Sequence, residues 1–130
     1  MTEFGIPKVN LDIEILTRRN ISLARFVVLN ALIQNDQACQ AELLKRLRPE
    51  NFTNDFTRFL FQNIVEMIHS QGEVDVQELR RRIPSFAPNA PEFTRGCLAN
   101  FDQILSLKPT PEHIERAVEM LTSPPPPLRF

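Results

Sequence analysis

From residue 22 to residue 121, apolar positions recur at three- and four-residue spacing, in blocks separated by proline, glycine or short polar runs. That is the period of amphipathic helices. The first block, "LARFVVLNALIQ", follows Ser22 as a candidate cap, carries Leu23, Phe26, Val27, Leu29 or Asn30, and Ile33 on one side, and breaks at "ND", residues 35 and 36. "QACQAELLKRL" predicts a shorter helix with Cys39, Leu43, Leu44 and Leu47 inward, stopped by Pro49. Asn54 caps the longest block, from Asp55 to about Ser70, with Gly72 just past its end. Asp75, with Glu78 three positions on, makes a capping-box start for "VQELRRRI", and Pro84 ends it. After the proline-rich link "PSFAPNAP", Pro91 suits the first turn of "EFTRGCLANFDQILSL". Phe93, Cys97, Phe101, Ile104 and Leu105 share a side there, and Gly96 either weakens the helix or permits close packing. Thr110 and Pro111 start the last block, with Ile114, Ala117, Val118 and Leu121 inward. The pattern predicts an all-α fold, a compact bundle of about six helices over residues 22–122.

The two ends read differently. "VNLDIEI", residues 9–15, alternates apolar and polar with the two-residue period of a strand, but nothing later in the chain offers a matching partner. Residues 1–21 are therefore expected to form an extended N-terminal arm lying on the helices or pairing with another chain. The ending "SPPPPLRF" favours polyproline II and makes 123–130 a proline-rich tail.

At 130 residues the chain is one domain in size, with 42% hydrophobic and 24% charged residues, an ordinary globular balance. A net charge of −1 gives no global attraction for nucleic acid. Cys39 and Cys97 are far apart and in no ligand-like spacing, which suits free thiols in a reducing, cytoplasmic setting. No apolar run reaches the roughly 18–20 residues of a membrane span, and the first residues lack the pattern of an export signal.

Candidate chemistry is sparse. Only three glycines occur, none in the phosphate-cradling pattern that precedes Lys and Ser or Thr. His69 and His113 have no ligand-like neighbours, Cys97 sits on an apolar helix side, and capping accounts for Asp75 and Glu78. No cofactor, metal or catalytic residue is expected. Arg80, Arg81 and Arg82 stand out instead, because three successive helical residues cannot share one side. They form either a solvated face suited to a helix C-terminus or a docking patch for acidic groups, to which Arg18, Arg19 and Arg25 add if the arm folds back. Ten phenylalanines without Trp or Tyr argue first for core packing. Phe59 and Phe61, two apart, point to nearly opposite sides, so their helix must be covered twice, by neighbours or by a partner.

Residues 22–121 resemble the small helical domain shared by two bacterial replication proteins, the N-terminal domain of DnaB-type replicative helicase and the C-terminal helicase-binding domain of DnaG-type primase. The residues carrying the likeness are Val28, Leu29, Leu32, Ile33 and Asn35; Phe52; Arg58, Leu60, Phe61, Ile64, Met67 and Gly72; and Val74, Asp75, Leu79 and Ile83. "RRIPSF" and "TPEHIERAVEML" resemble the primase side. The resemblance implies a six-helix globule acting through protein contacts, building the collar of a hexameric helicase or docking on it. The 130 residues contain no RecA-like ATPase, primase zinc or catalytic region, or long terminal hairpin. An excised domain, or a stand-alone phage or plasmid factor, is therefore the expectation.

The expected role is a non-catalytic interaction module between replicative helicase and primase or loader, with Arg80, Arg81, Arg82, Phe59 and Phe61 as candidate partner-binding residues. Two competing roles are a homo-oligomerisation collar, possible as a homodimer, and direct DNA binding through the arginines. DNA contact is otherwise expected to be indirect or weak, and no membrane contact is expected.

Overall fold

A computed structural model of the chain describes residues 21–34 and 36–122. Six α-helices occur among them: α1 (Ile21–Gln34), α2 (Gln37–Arg46), α3 (Asp55–Gln71), α4 (Val76–Arg82), α5 (Pro91–Ser106) and α6 (Pro111–Thr122). Single 3-10 turns at Pro49–Asn51 and Ile83–Phe86 complete the path, and no strand occurs among the described residues. The fold class is all-α, a bundle of helices, as the periodicity predicts. The alternating segment 9–15 and the tail 123–130 lie outside the described residues.

The bundle is organised around α1. Every residue from Val27 to Ile33 is buried, as are Leu23 and Ala24. Seven consecutive residues cover nearly two full turns, so α1 has no solvent side along this length. α6 is its most extensive neighbour, and α2, α3 and α5 cover the rest. Each buried Leu, Ile or Val contributes about 1.5–3 kcal/mol relative to exposure, so the enclosure of α1 is a large part of what holds the domain together. The single stripe expected of this helix was too narrow, and Phe26 is half-buried at its edge. Ser22 lies within the helix and does not cap it.

Local signals fix the other helix starts. The Asp36 side chain accepts from Cys39 N at 2.9 Å, Asn54 from Thr57 N at 3.0 Å and Asp75 from Glu78 N at 3.0 Å. At α6, Thr110 Oγ1 accepts from His113 N (3.2 Å) while Thr110 N donates to His113 Nδ1 (3.0 Å). Each cap satisfies backbone groups that a helix end leaves unpaired. The capping box expected at α4 forms only its Asp75 half, because Glu78 turns its carboxylate to arginines. α3 ends at Gly72, whose φ of +80° and N–H to Ile68 O bond of 2.9 Å make a left-handed cap.

Buried amides join the helices. Asn30, the one polar residue in the buried run of α1, donates through Nδ2 to Ile104 O (2.9 Å) and Leu107 O (3.0 Å), and Gln34 donates to Leu105 O (2.9 Å). These are carbonyls at the C-terminal end of α5, where intrahelical donors run out. Gln40 in turn donates to Leu32 O at 2.8 Å from within the core. At the surface, Arg46 grips both carboxylate oxygens of Glu115 at 2.7 and 2.8 Å, joining α2 to α6. Hydrogen bonding from Arg46, helped by its charge, holds the Glu115 carboxyl below the usual carboxylate range.

Four outcomes are expected. Asn30→Leu leaves buried carbonyls without a donor and should cost about 2–3 kcal/mol in urea denaturation. Gly96 is exposed with open space where a Cβ would stand, so Gly96→Ala should stabilise α5 by about 0.5–1 kcal/mol, whereas Gly72→Ala at positive φ should cost about 1–2 kcal/mol. Because the folded carboxyl of Glu115 titrates below its unfolded value, the pair adds stability above the unfolded pKa of about 4.3 and loses it as pH falls through the folded value. Glu115→Gln should therefore lower the melting temperature by about 1–3 °C at neutral pH, a difference that fades as pH falls through the lowered folded pKa of Glu115.

Candidate interaction surfaces

The phenylalanines divide into a buried pair and an aromatic ridge. Phe52, just before α3, stacks on Phe61 with ring centroids 4.6 Å apart, and both rings are in the core. Phe61 thus engages its ring in a contact within the chain, with Phe52. Phe59 is half-buried and meets Phe86 of the 3-10 turn at 5.1 Å and Phe56 at 6.4 Å. Phe86 also meets Phe56 at 5.5 Å, then passes the contact on to Phe93 of α5 at 6.0 Å. Phe93 is 54% exposed, the one large hydrophobic residue so exposed among the described residues. Its expected inward position is corrected: only Cys97, Phe101 and Ile104 of that set are fully buried. Ring pairs of this kind contribute about 0.5–1.5 kcal/mol each beyond area, so the ridge is rigid up to its solvent-facing end.

The three arginines of α4 do project to different sides, and each meets a carboxylate. Arg80 reaches Asp102 of α5 at 2.5 Å and lies 5.1 Å above the Phe101 ring, a cation–π placement. Arg82 reaches Glu66 (2.9 Å) and Asn63 (2.9 Å) of α3 and Glu78 (3.2 Å) of its own helix. Its hydrogen bonds to the Glu78 and Glu66 carboxylates hold the guanidinium more firmly charged. Arg81 pairs with Glu78 and is the most open of the three, its side chain 73% exposed. Two of the three cations therefore fasten a seven-residue helix to α5 and α3, and Asp102, Glu66 and Glu78 balance the charge. Arg25 hydrogen-bonds Thr53 at 2.5 Å, and burial pulls its pKa down; Arg18 and Arg19 lie outside the described residues.

A surface that the sequence did not announce lies between α2 and α3. One depression of about 470 Å³ is lined by Gln37, Ala41, Leu44, Lys45, Ile68 and His69 among others, and a second of about 270 Å³ adds Leu47, Pro49, Gln62 and Val65. Both include Leu44 and His69 and so adjoin. The spacing of α2 predicts Leu44 inward, whereas it is half-buried and, with the half-buried Val65 and Ile68, borders this trough.

Reactive groups are few. Cys97 is buried and Cys39 half-buried; burial, and for Cys39 also the Asp36 charge, pushes both thiols up and away from the reactive thiolate. Among the described residues no group of three or more His, Cys, Asp or Glu could hold a metal ion, and no helix is long and apolar enough to cross a membrane.

Comparison with curated proteins and with solved structures found no match to either. Over residues 18–123, a span that includes all six helices, the sequence matches the family described as DnaB-like helicase N terminal domain, and the chain belongs to that family.

Proposed function

We propose that this domain is a non-catalytic protein-interaction module of bacterial, phage or plasmid DNA replication, working in the cytoplasm to bring a replicative helicase together with its primase or loader. Family membership ties the domain to the replicative helicase. The observation that carries the reading further is Phe93, an aromatic ring held out to solvent on a rigid ridge beside α4. Aromatic anchors on a preformed surface are the residues that dominate binding energy at protein interfaces. Arg81 is the companion charge, because it alone of the three is turned mainly to water and can meet an acidic group without α4 losing its anchorage. Phe59 supports the ridge from beneath.

A second reading has the same ridge pairing identical chains in the collar of a helicase hexamer, and the exposed Phe93 favours it equally, because an apolar ridge is able to self-associate across a two-fold axis. Direct DNA binding gains little, since the arginines of α4 are matched by carboxylates and phosphate binding needs uncompensated cations.

Light scattering coupled to size exclusion separates these readings, applied to the full chain alone and mixed with the cognate helicase or primase. Co-migration with either partner is the expected result. Phe93→Ser should lower the melting temperature by no more than about 8 °C, leaving the domain folded, yet weaken that complex at least about tenfold, and Arg81→Glu should weaken it less. A dimer that Phe93→Ser dissolves, with no helicase or primase bound, would establish the collar reading instead. Unchanged partner affinity in both variants would remove the ridge from the interface.

A further inference from the structure

The trough between α2 and α3 has a shape and charge that the fold does not use. On α3, the residues bordering it are Phe61, Gln62, Val65, Ile68 and His69, and all but Gln62 form an i, i+4, i+7, i+8 stripe. The ridge side of α3 carries Phe59, Asn63 and Glu66, which contact Phe86 and Arg82. Residues 59 and 61 are about 200° apart around the helix, so the trough and the Phe93 ridge occupy different sides of α3.

The floor of the trough is aliphatic, with Ala41, Leu44, Val65 and Ile68. The ionisable side chains lining it are Lys45 and His69, and no carboxylate lines either depression. Lys45 reaches Glu42 only at 3.6 Å, with both side chains about two-thirds exposed or more, so the ammonium keeps most of its capacity for another anion. From Gln37 to Pro49 the trough follows the whole of α2, ten helical residues or about 15 Å. That length equals about three turns of a helix laid alongside. A groove between two helices accepts a third by interleaving side-chain ridges. The aliphatic floor argues against a nucleic-acid strand, which would need a run of cations.

We infer that the α2–α3 trough is a docking site for an amphipathic helix of another protein, about three turns long, with an aliphatic stripe flanked by carboxylates that face Lys45 and His69. This deepens the interaction-module reading by naming a second surface and the chemistry of its partner, and it rests on that reading without depending on the Phe93 ridge.

The test uses the full chain labelled with 15N and two stapled helical peptides of about 14 residues. The peptides share one leucine stripe and differ in carrying Glu or Lys along its flanks. The Glu peptide is expected to shift the amide signals of Ala41, Leu44, Lys45, Val65, Ile68 and His69, and to bind about fivefold more tightly than the Lys peptide at low salt. That preference should fade as salt is raised. Lys45→Glu should abolish or reverse the preference without changing the melting temperature, and Val65→Asp should weaken both peptides.

Equal binding of the two peptides, signals moving at Phe93 instead of at Val65, or no saturable shift at millimolar peptide would each overturn the inference. A homodimer dissolved by Val65→Asp would also overturn it, by making a second copy the occupant. If Phe93→Ser removes helicase or primase binding while neither peptide binds, the module reading stands and the trough falls. If the Glu peptide binds as expected while helicase and primase do not, the trough stands and the choice of partner falls.

Discussion

With buried side chains at every position from Val27 to Ile33, α1 cannot be satisfied by any one neighbour. A helix resting on a single layer leaves roughly half its circumference in water, and here that half would carry leucine, isoleucine and valine. α2, α3, α5 and α6 must therefore surround it, and α6, arriving last in the chain, makes the broadest contact. Hydrophobic enclosure alone does not fix the axial position of a helix inside such a sheath, because aliphatic surfaces tolerate sliding. Asn30 supplies that constraint. Its two hydrogen bonds reach carbonyls at the end of α5, so a shift of one residue would leave both the amide and those carbonyls buried and unpaired.

Charge plays a subordinate but definite part. α4 has seven residues and one fully buried side chain, Leu79, too little apolar area to hold it in place. Arg80 and Arg82 bind it to α5 and α3 through Asp102 and Glu66, and Arg46 does the same between α2 and α6 through Glu115. A run that reads as a cationic patch is thus a set of fasteners between short or late-arriving elements. What remains available for recognition is mainly apolar, at Phe93 and in the α2–α3 trough, with Arg81, Lys45 and His69 as nearby polar determinants.

The helices were legible because their signals are local. Asn54, Asp75, Pro91 and Thr110 act within three residues of themselves, and Gly72 needs only its own φ to end α3. Asp36 acts equally locally, although in sequence it reads first as the end of the preceding block. What the sequence leaves open involves partners distant in the chain. The carboxylates that neutralise Arg82 and Arg80 lie 16 and 22 residues away, so the triplet looks cationic until the fold is known. Phe93 shares spacing with Cys97 and Phe101, yet its side is left 54% exposed, and Phe86, which meets its ring, comes from outside the helix. The trough had no signal at all, because a gap between two helices is a property of their separation and not of either pattern. The angle between Phe59 and Phe61 requires α3 to be covered on two sides, and the residue that covers Phe61 is Phe52, from outside the helix.

That geometry explains why one helix carries so many aromatic and aliphatic residues. Measured around α3, Phe56, Leu60, Ile64 and Met67 form the stripe buried in the core. Phe61, Val65, Ile68 and His69 lie about 100° or more to one side, against Phe52 and α2. Phe59, Asn63 and Glu66 lie on the other, against Phe86 and Arg82. Gln62, Glu66, His69 and Ser70 stay exposed on the side away from the core, so α3 acts as a spine with other parts of the domain on both flanks. A partner seated on the ridge and another seated in the trough would therefore press on opposite flanks of one rigid rod. Closely packed helices shift as units between discrete arrangements. Any communication between the two surfaces would accordingly take the form of a small rotation or slide of α3 against α1.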